Sequence, residues 1–170
     1  VGTPVVDTAT VVRGLFEEAC SDVLVISYVF SHAKELLAPL AIRLNADTNF
    51  RVRMVVDLTH QRKQQDEPLP IVCNRFRKQF LDRHWFGVRE PEFLHDPRAF
   101  EDEGSKKSGI MHAKVVIIDD RVALVTSANF TEAAQHRNIE AGVLLRQTRH
   151  VKRLRSYFEG LMETKCLQRF

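Results

Sequence analysis

Strand-forming runs alternate along this chain with stretches whose apolar residues recur at helical spacing, and that alternation restricts the fold more than any other feature. Residues 23–30 and 50–58 (FRVRMVVDL) are short and largely apolar, and each is read as a buried strand. Ahead of the first, Asp7 or Thr8 is placed to cap a helix carrying Val11, Val12, Leu15, Phe16 and Ala19. Between the two, Ser31 heads a helical pattern of Leu36, Leu37, Leu40 and Leu44 that runs to about Asn45. A polar linker with Pro68 and Pro70 precedes a helix over residues 71–85, and residues 86–94 are read as another strand. Strands at 115–118 and 122–125 meet at the Asp120-Arg121 turn. A short helical stretch at 131–136, a strand at 139–145 and a last helix with Val151, Leu154, Phe158 and Leu161 inward complete the pattern. The expected fold is α/β, a mixed β-sheet sandwiched by helices on both faces.

A length of 170 residues suits a single domain spanning the whole chain, residues 1–170. No apolar run approaches the roughly 18 residues of a membrane span, and no basic-then-apolar signal opens the chain. Cys20, Cys73 and Cys166 are odd in number and far apart, which argues against a disulfide framework or a cysteine zinc site and makes a reducing, cytoplasmic setting the expectation. His60, His84, His95, His136 and His150 show no HxxxH or HExxH spacing with an acid partner, so neither a metal site nor a cofactor is expected.

Chemistry concentrates in residues 111–140, MHAKVVIIDDRVALVTSANFTEAAQHRNIE. His112 and Lys114 stand two apart in a strand-forming run, so a period of two aims both at one face of a sheet, with Cα atoms about 6–7 Å apart. That pair can address one phosphate: a neutral imidazole attacks or transfers a proton while the lysine charge holds a non-bridging oxygen. Thr126-Ser127-Ala128-Asn129 is a small polar corner able to donate hydrogen bonds to an oxyanion. The tripeptide recurs as His32-Ala33-Lys34, but Pro39 follows His32 at the distance where Asp119 follows His112. It also opens a helical pattern, where i and i+2 diverge, so His32 and Lys34 read as helix-surface residues.

His112-x-Lys114, Asp119 and Thr126-Ser127-x-Asn129, at these spacings, resemble the signature of the phospholipase D superfamily, which usually has glycine where Thr126 stands. Arg137-Asn138-Ile139-Glu140 is similar to the Asn-x-Glu that follows it in many members. The resemblance implies the same α/β architecture and a catalytic set of His112, Lys114, Asp119, Ser127, Asn129 and Glu140. It implies two signatures facing each other across a two-fold axis. This chain carries one, so either a homodimer or a second copy in a longer chain completes the site. One His112 would attack phosphorus to give a phosphohistidine while its counterpart protonates the leaving oxygen, with no metal required. Asp119 or Glu140 would orient an imidazole, family usage favouring Glu140. In size the chain is similar to small single-signature bacterial nucleases. Its TSANFT and RNIE segments resemble phospholipase D-like proteins of anti-phage defence systems, which would bring defence-complex partners.

The net charge is only +3, but residues 146–155, RQTRHVKRLR, carry five positive side chains and no acid, and Arg75, Arg77 and Lys78 form another cluster. Together with the phosphodiester signature these favour a nucleic-acid partner, DNA ahead of RNA, contacted by Arg137, Arg146, Arg149, Lys152 and Arg153. The plainer alternative is that they solvate helix faces. No regular aromatic interleaving suggests base readout. The polar segment 95–109 is either a lid or rim of the site or a surface connection, and His136 either meets substrate or lies on a short helix. Two other functions stand beside nuclease. One is phospholipid cleavage or phosphatidyl transfer with the basic helix on an anionic membrane, against which no apolar anchor is evident. The other is a non-catalytic nucleic-acid-binding subunit.

Overall fold

The computed structural model describes residues 7–64, 66–100, 111–131 and 139–170. Helix α1 (Thr8–Glu18) opens at Asp7, whose carboxylate accepts from the Ala9 and Thr10 amides, and turns Val12, Leu15 and Phe16 inward. Strand β1 (Asp22–Ser27) follows, shorter than its apolar run. The Ser27 hydroxyl donates to the Val29 carbonyl at 3.0 Å, and the bend sends β2 (Phe30–Ser31) out of the main sheet. Helix α2 (Lys34–Ala46) has no side-chain cap. Ser31, expected to cap it, instead bonds the His32 ring at 2.9 Å, and His32 takes a left-handed φ of 52°.

Strand β3 (Arg51–Val56) leads through a short 3-10 turn (Thr59–Gln61) to α3 (Leu69–His84). That helix begins earlier than its apolar pattern because Pro70 sits in the first turn, where no backbone donor is needed. Strand β4 (Glu92–His95) is the short end of the run expected at 86–94. Asn45 Oδ1 accepts the Val88 and Arg89 amides at 3.1 and 2.8 Å and keeps those residues out of the ladder. Strands β5 (Val115–Ile118), β6 (Val122–Thr126), β7 (Phe130–Thr131) and β8 (Gly142–Leu145) follow, then α4 (Thr148–Glu163) and a two-residue β9 (Gln168–Arg169) that no sequence pattern announces. Thr131, the expected start of a short helix, ends β7 instead, and the rest of that stretch, with His136 and Arg137, lies outside the described residues.

Seven strands form one mixed sheet in the order β8-β6-β5-β1-β3-β4-β9, and β2 pairs with β7 in a separate ribbon. Strands β1, β3 and β4 are parallel, whereas β5 runs against β1, β6 against β5 and β8 against β6. Alternate residues serve opposite faces. Val25, Met54 and Val116 pack under α1, α2 and α3, while Leu24, Val55 and Ile117 pack under α4, so helices cover both faces.

The strand directions create two distinct ends. Strands β1, β3, β4 and β6 finish where β5 and β8 begin, which gathers Tyr28, Asp57, His112, Ser127 and Glu140 at one end of the sheet. Asp22, the turn after Ile118 and the start of α4 lie at the other, about 20 Å away along β1.

Candidate active site

His112 and Lys114 lie in the extended lead-in to β5, where the Lys114 carbonyl still accepts the Thr126 amide at 3.1 Å. Both side chains share a face, as the period of two requires. Lys114 Nζ donates to the His112 carbonyl at 2.7 Å and stands 3.2 Å from His112 Nδ1. His112 is exposed whereas Lys114 is 6% exposed. Burial pulls the Lys114 ammonium below the ordinary lysine range, and nearby Glu140 acts in the opposite direction. Asp57 pins this segment: Oδ2 accepts the Met111 amide at 3.3 Å while Oδ1 accepts the Thr59 amide at 2.9 Å. The Tyr28 ring lies 4.9 Å from the His112 ring, 5.4 Å from Lys114 Nζ and 4.7 Å from the His60 ring.

The corner after β6 comes to the same place. The Ser127 amide donates to the Ala141 carbonyl at 3.0 Å and the Ala141 amide returns to Ser127 Oγ at 3.1 Å. Ser127 Oγ in turn donates to the Glu140 carboxylate. Thr126 Oγ1 accepts the Ala128 amide at 3.1 Å and donates to the Ala141 carbonyl at 3.2 Å, so the hydroxyl fixes the bend locally. Asn129 Oδ1 is buried with no hydrogen-bond partner among the described residues. Phe130 stacks on Phe30 at 5.4 Å and roots the corner in the core.

Asp119 does not join them. It sits at the other end of β5, accepting the Cys20, Ser21 and Asp22 amides at 2.6, 2.7 and 2.9 Å and the Ser21 hydroxyl at 2.8 Å. Burial pushes its carboxyl up, but these donors outweigh it and hold the group below the usual carboxylate range. The basic segment lies at that end too. Arg146 is 3.8 Å from Glu18, Arg149, Lys152 and Arg153 are exposed on the first turns of α4, and none is brought to His112. Arg155 is buried and paired with Asp22 and Asp120. Of the upstream cluster, Arg75 pairs with Glu67 and Arg77 with Glu90. Sequence reasoning missed Tyr28, Asp57 and His60. Their signal was position, since each lies just past a buried strand, where parallel sheets place their ligands.

A family model described as "Cardiolipin synthase, PLD-like domain" matches residues 12–162. The chain belongs to the phospholipase D superfamily. Several solved structures share its fold. NucT from Helicobacter pylori is 20% identical with a TM-score of 0.64, covering 91% of this chain and 86% of that one. The phospholipase D family member Nuc from Salmonella typhimurium is 18% identical with a TM-score of 0.57, covering 95% and 89%. Phosphatidylserine synthase from Haemophilus influenzae is 16% identical with a TM-score of 0.62, covering 94% of this chain and 36% of that one. No curated protein matches. Among the described residues, no helix is long and apolar enough to cross a membrane.

Proposed function

We propose that this phospholipase D-like phosphodiesterase is a nuclease that cuts DNA through a phosphohistidine, in a site shared by two copies of the chain. The observation that carries the reading is the exposed His112 backed by the buried Lys114 ammonium, with Ser127 and Glu140 at the same end of the sheet. A lysine ammonium only donates, so at 3.2 Å it makes His112 Nδ1 the acceptor and leaves the imidazole proton on Nε2. That tautomer suits the acid that protonates a leaving oxygen. The nucleophile needs the opposite one, with Nε2 bare, and reaches it when a bound phosphate draws Lys114 away from Nδ1. Two imidazoles in opposite proton states are what attack and departure require, and one chain supplies one signature. The second copy docks on the edge strand β8, where Val143 and Leu144 are exposed and Ile139 flanks Glu140. Ser127 and Asn129 complete the phosphate cradle, Glu140 positions the serine, and Asp119 serves the scaffold. Arg146, Arg149, Lys152 and Arg153 act as remote contacts for a long polyanion that continues past the cleft, joined by Arg137 from the segment between Asn129 and Glu140.

Lipid cleavage is the second reading, favoured by the name of the matching domain model and by the synthase fold. One assay separates the two. Single- and double-stranded DNA, RNA and labelled phospholipid are incubated in chelator with wild type and His112→Ala. DNA cutting that survives chelation and disappears in the variant is the expected result; lipid turnover with no nucleic-acid cutting would overturn it.

A further inference from the structure

Beside Tyr28 opens a cleft of about 230 Å³. Tyr28, Phe30 and Phe76 give it aromatic walls, and Asp57, His60 and Gln61 form a polar rim. Tyr28 is also the ring beside His112, so one ring separates an occupant of the cleft from that imidazole. Resting on the nuclease reading, we infer that this cleft receives one unstacked nucleobase of the nucleotide bearing the scissile phosphate, so that the strand must be single or opened there.

The shape and chemistry of the cleft fit a base. Flat walls stack on a heteroaromatic ring, and the His60 and Gln61 side chains, which hydrogen-bond no described residue, are free to meet its polar edge. The Gln61 carbonyl is held by Arg75, which is itself paired with Glu67, so the rim is a fixed wall. A base inside a duplex has its faces covered and its pairing edge occupied, hence it enters only by leaving the stack. The rival occupant is a cationic lipid headgroup. Lys114 Nζ already stands over the same Tyr28 ring and would repel a second cation, and both Asp57 oxygens are engaged by Thr59 and Met111.

The test compares a single-stranded oligodeoxynucleotide, the same strand with one abasic site, its duplex, and phosphatidylcholine vesicles. Wild type should cut the bonds beside the abasic site on the order of tenfold more slowly than the same bonds with the base present, and the duplex more slowly still. Gln61→Trp, which fills the cleft, should abolish the difference between the intact and the abasic strand. With His112→Ala, which cannot cut, 2-aminopurine should change its fluorescence on binding when it stands at that nucleotide and not when it stands several nucleotides away, a readout that stands even if Gln61→Trp does not fold. Equal cutting of intact, abasic and duplex DNA would overturn the base subsite and leave the nuclease standing. Hydrolysis of vesicles with no DNA cutting would overturn both.

Discussion

Lys114 sits in a partly dehydrated position, and if it holds the phosphate as proposed its titration should be visible in the rate. Because burial lowers its pKa, the ammonium is lost as pH rises at a point below the ordinary lysine value of about 10.4, and cleavage should fall with it. Lys114→Arg, which keeps its charge, should remove that alkaline limb from a pH–rate profile while costing roughly 10²–10³-fold in kcat through altered geometry. Asp119 calls for a different measurement. Its folded pKa is depressed, so the stability it contributes is present above the unfolded value of about 3.9 and lost as pH falls below it. Asp119→Asn breaks several charge-assisted bonds and should cost roughly 2–3 kcal/mol at neutral pH, with a flatter acid limb in a melting series. Cleavage per folded molecule should stay at the wild-type level; collapse would return Asp119 to the active site. The motif made His112, Lys114 and the Ser127 corner legible in sequence. Asp119 stands apart from them because a motif reports spacing along the chain, and a strand separates its two ends.

At the scale of elements, α4 carries cations with opposite jobs. Val151, Arg155 and Phe158 are the buried residues of one stripe at i, i+4 and i+7, and Arg155 closes a network with Asp22, Asp120 and Glu159. Arg155→Ala removes a buried guanidinium from half-buried Asp22, Asp120 and Glu159 and should cost about 2–3 kcal/mol, read as a melting shift of about 2–4 °C per kcal/mol. Arg149, Lys152 and Arg153 face water. Replacing all three with alanine should leave the melting point within a few degrees and reduce the salt slope of DNA binding by about 0.9 for each phosphate that these cations neutralise in the wild type. An unchanged slope would show that DNA does not reach this end. The helical phase of Arg155 was readable from the sequence, whereas its acidic partners on β1 and on the turn before β6 are tertiary facts. The two-residue strands β2, β7 and β9 were likewise invisible, since so short a run carries no period.

Across the whole molecule the decisive unknown at the level of sequence was strand direction. Periodicity put strands and helices in nearly the right places, yet only the parallel and antiparallel pairings place the basic helix start and His112 at opposite ends of the sheet. The same end-on geometry leaves His112 at the mouth of the candidate site, and the proposed shared pocket would bring a second imidazole to it from across a two-fold axis. Subunit mixing tests that proposal directly. If each site needs both imidazoles, wild type co-refolded with His112→Ala yields active sites only in wild-type pairs, so activity follows the square of the wild-type fraction and equal mixing leaves about a quarter. If each chain works alone, activity follows the fraction itself and about half remains. Replacing Val143 with lysine on the exposed edge of β8 should weaken pairing, lower activity at dilute enzyme and restore it as concentration rises, as sedimentation would follow in parallel. A linear mixing curve from a strictly monomeric, active enzyme would place both proton transfers within one chain, and the shared pocket would have to be abandoned.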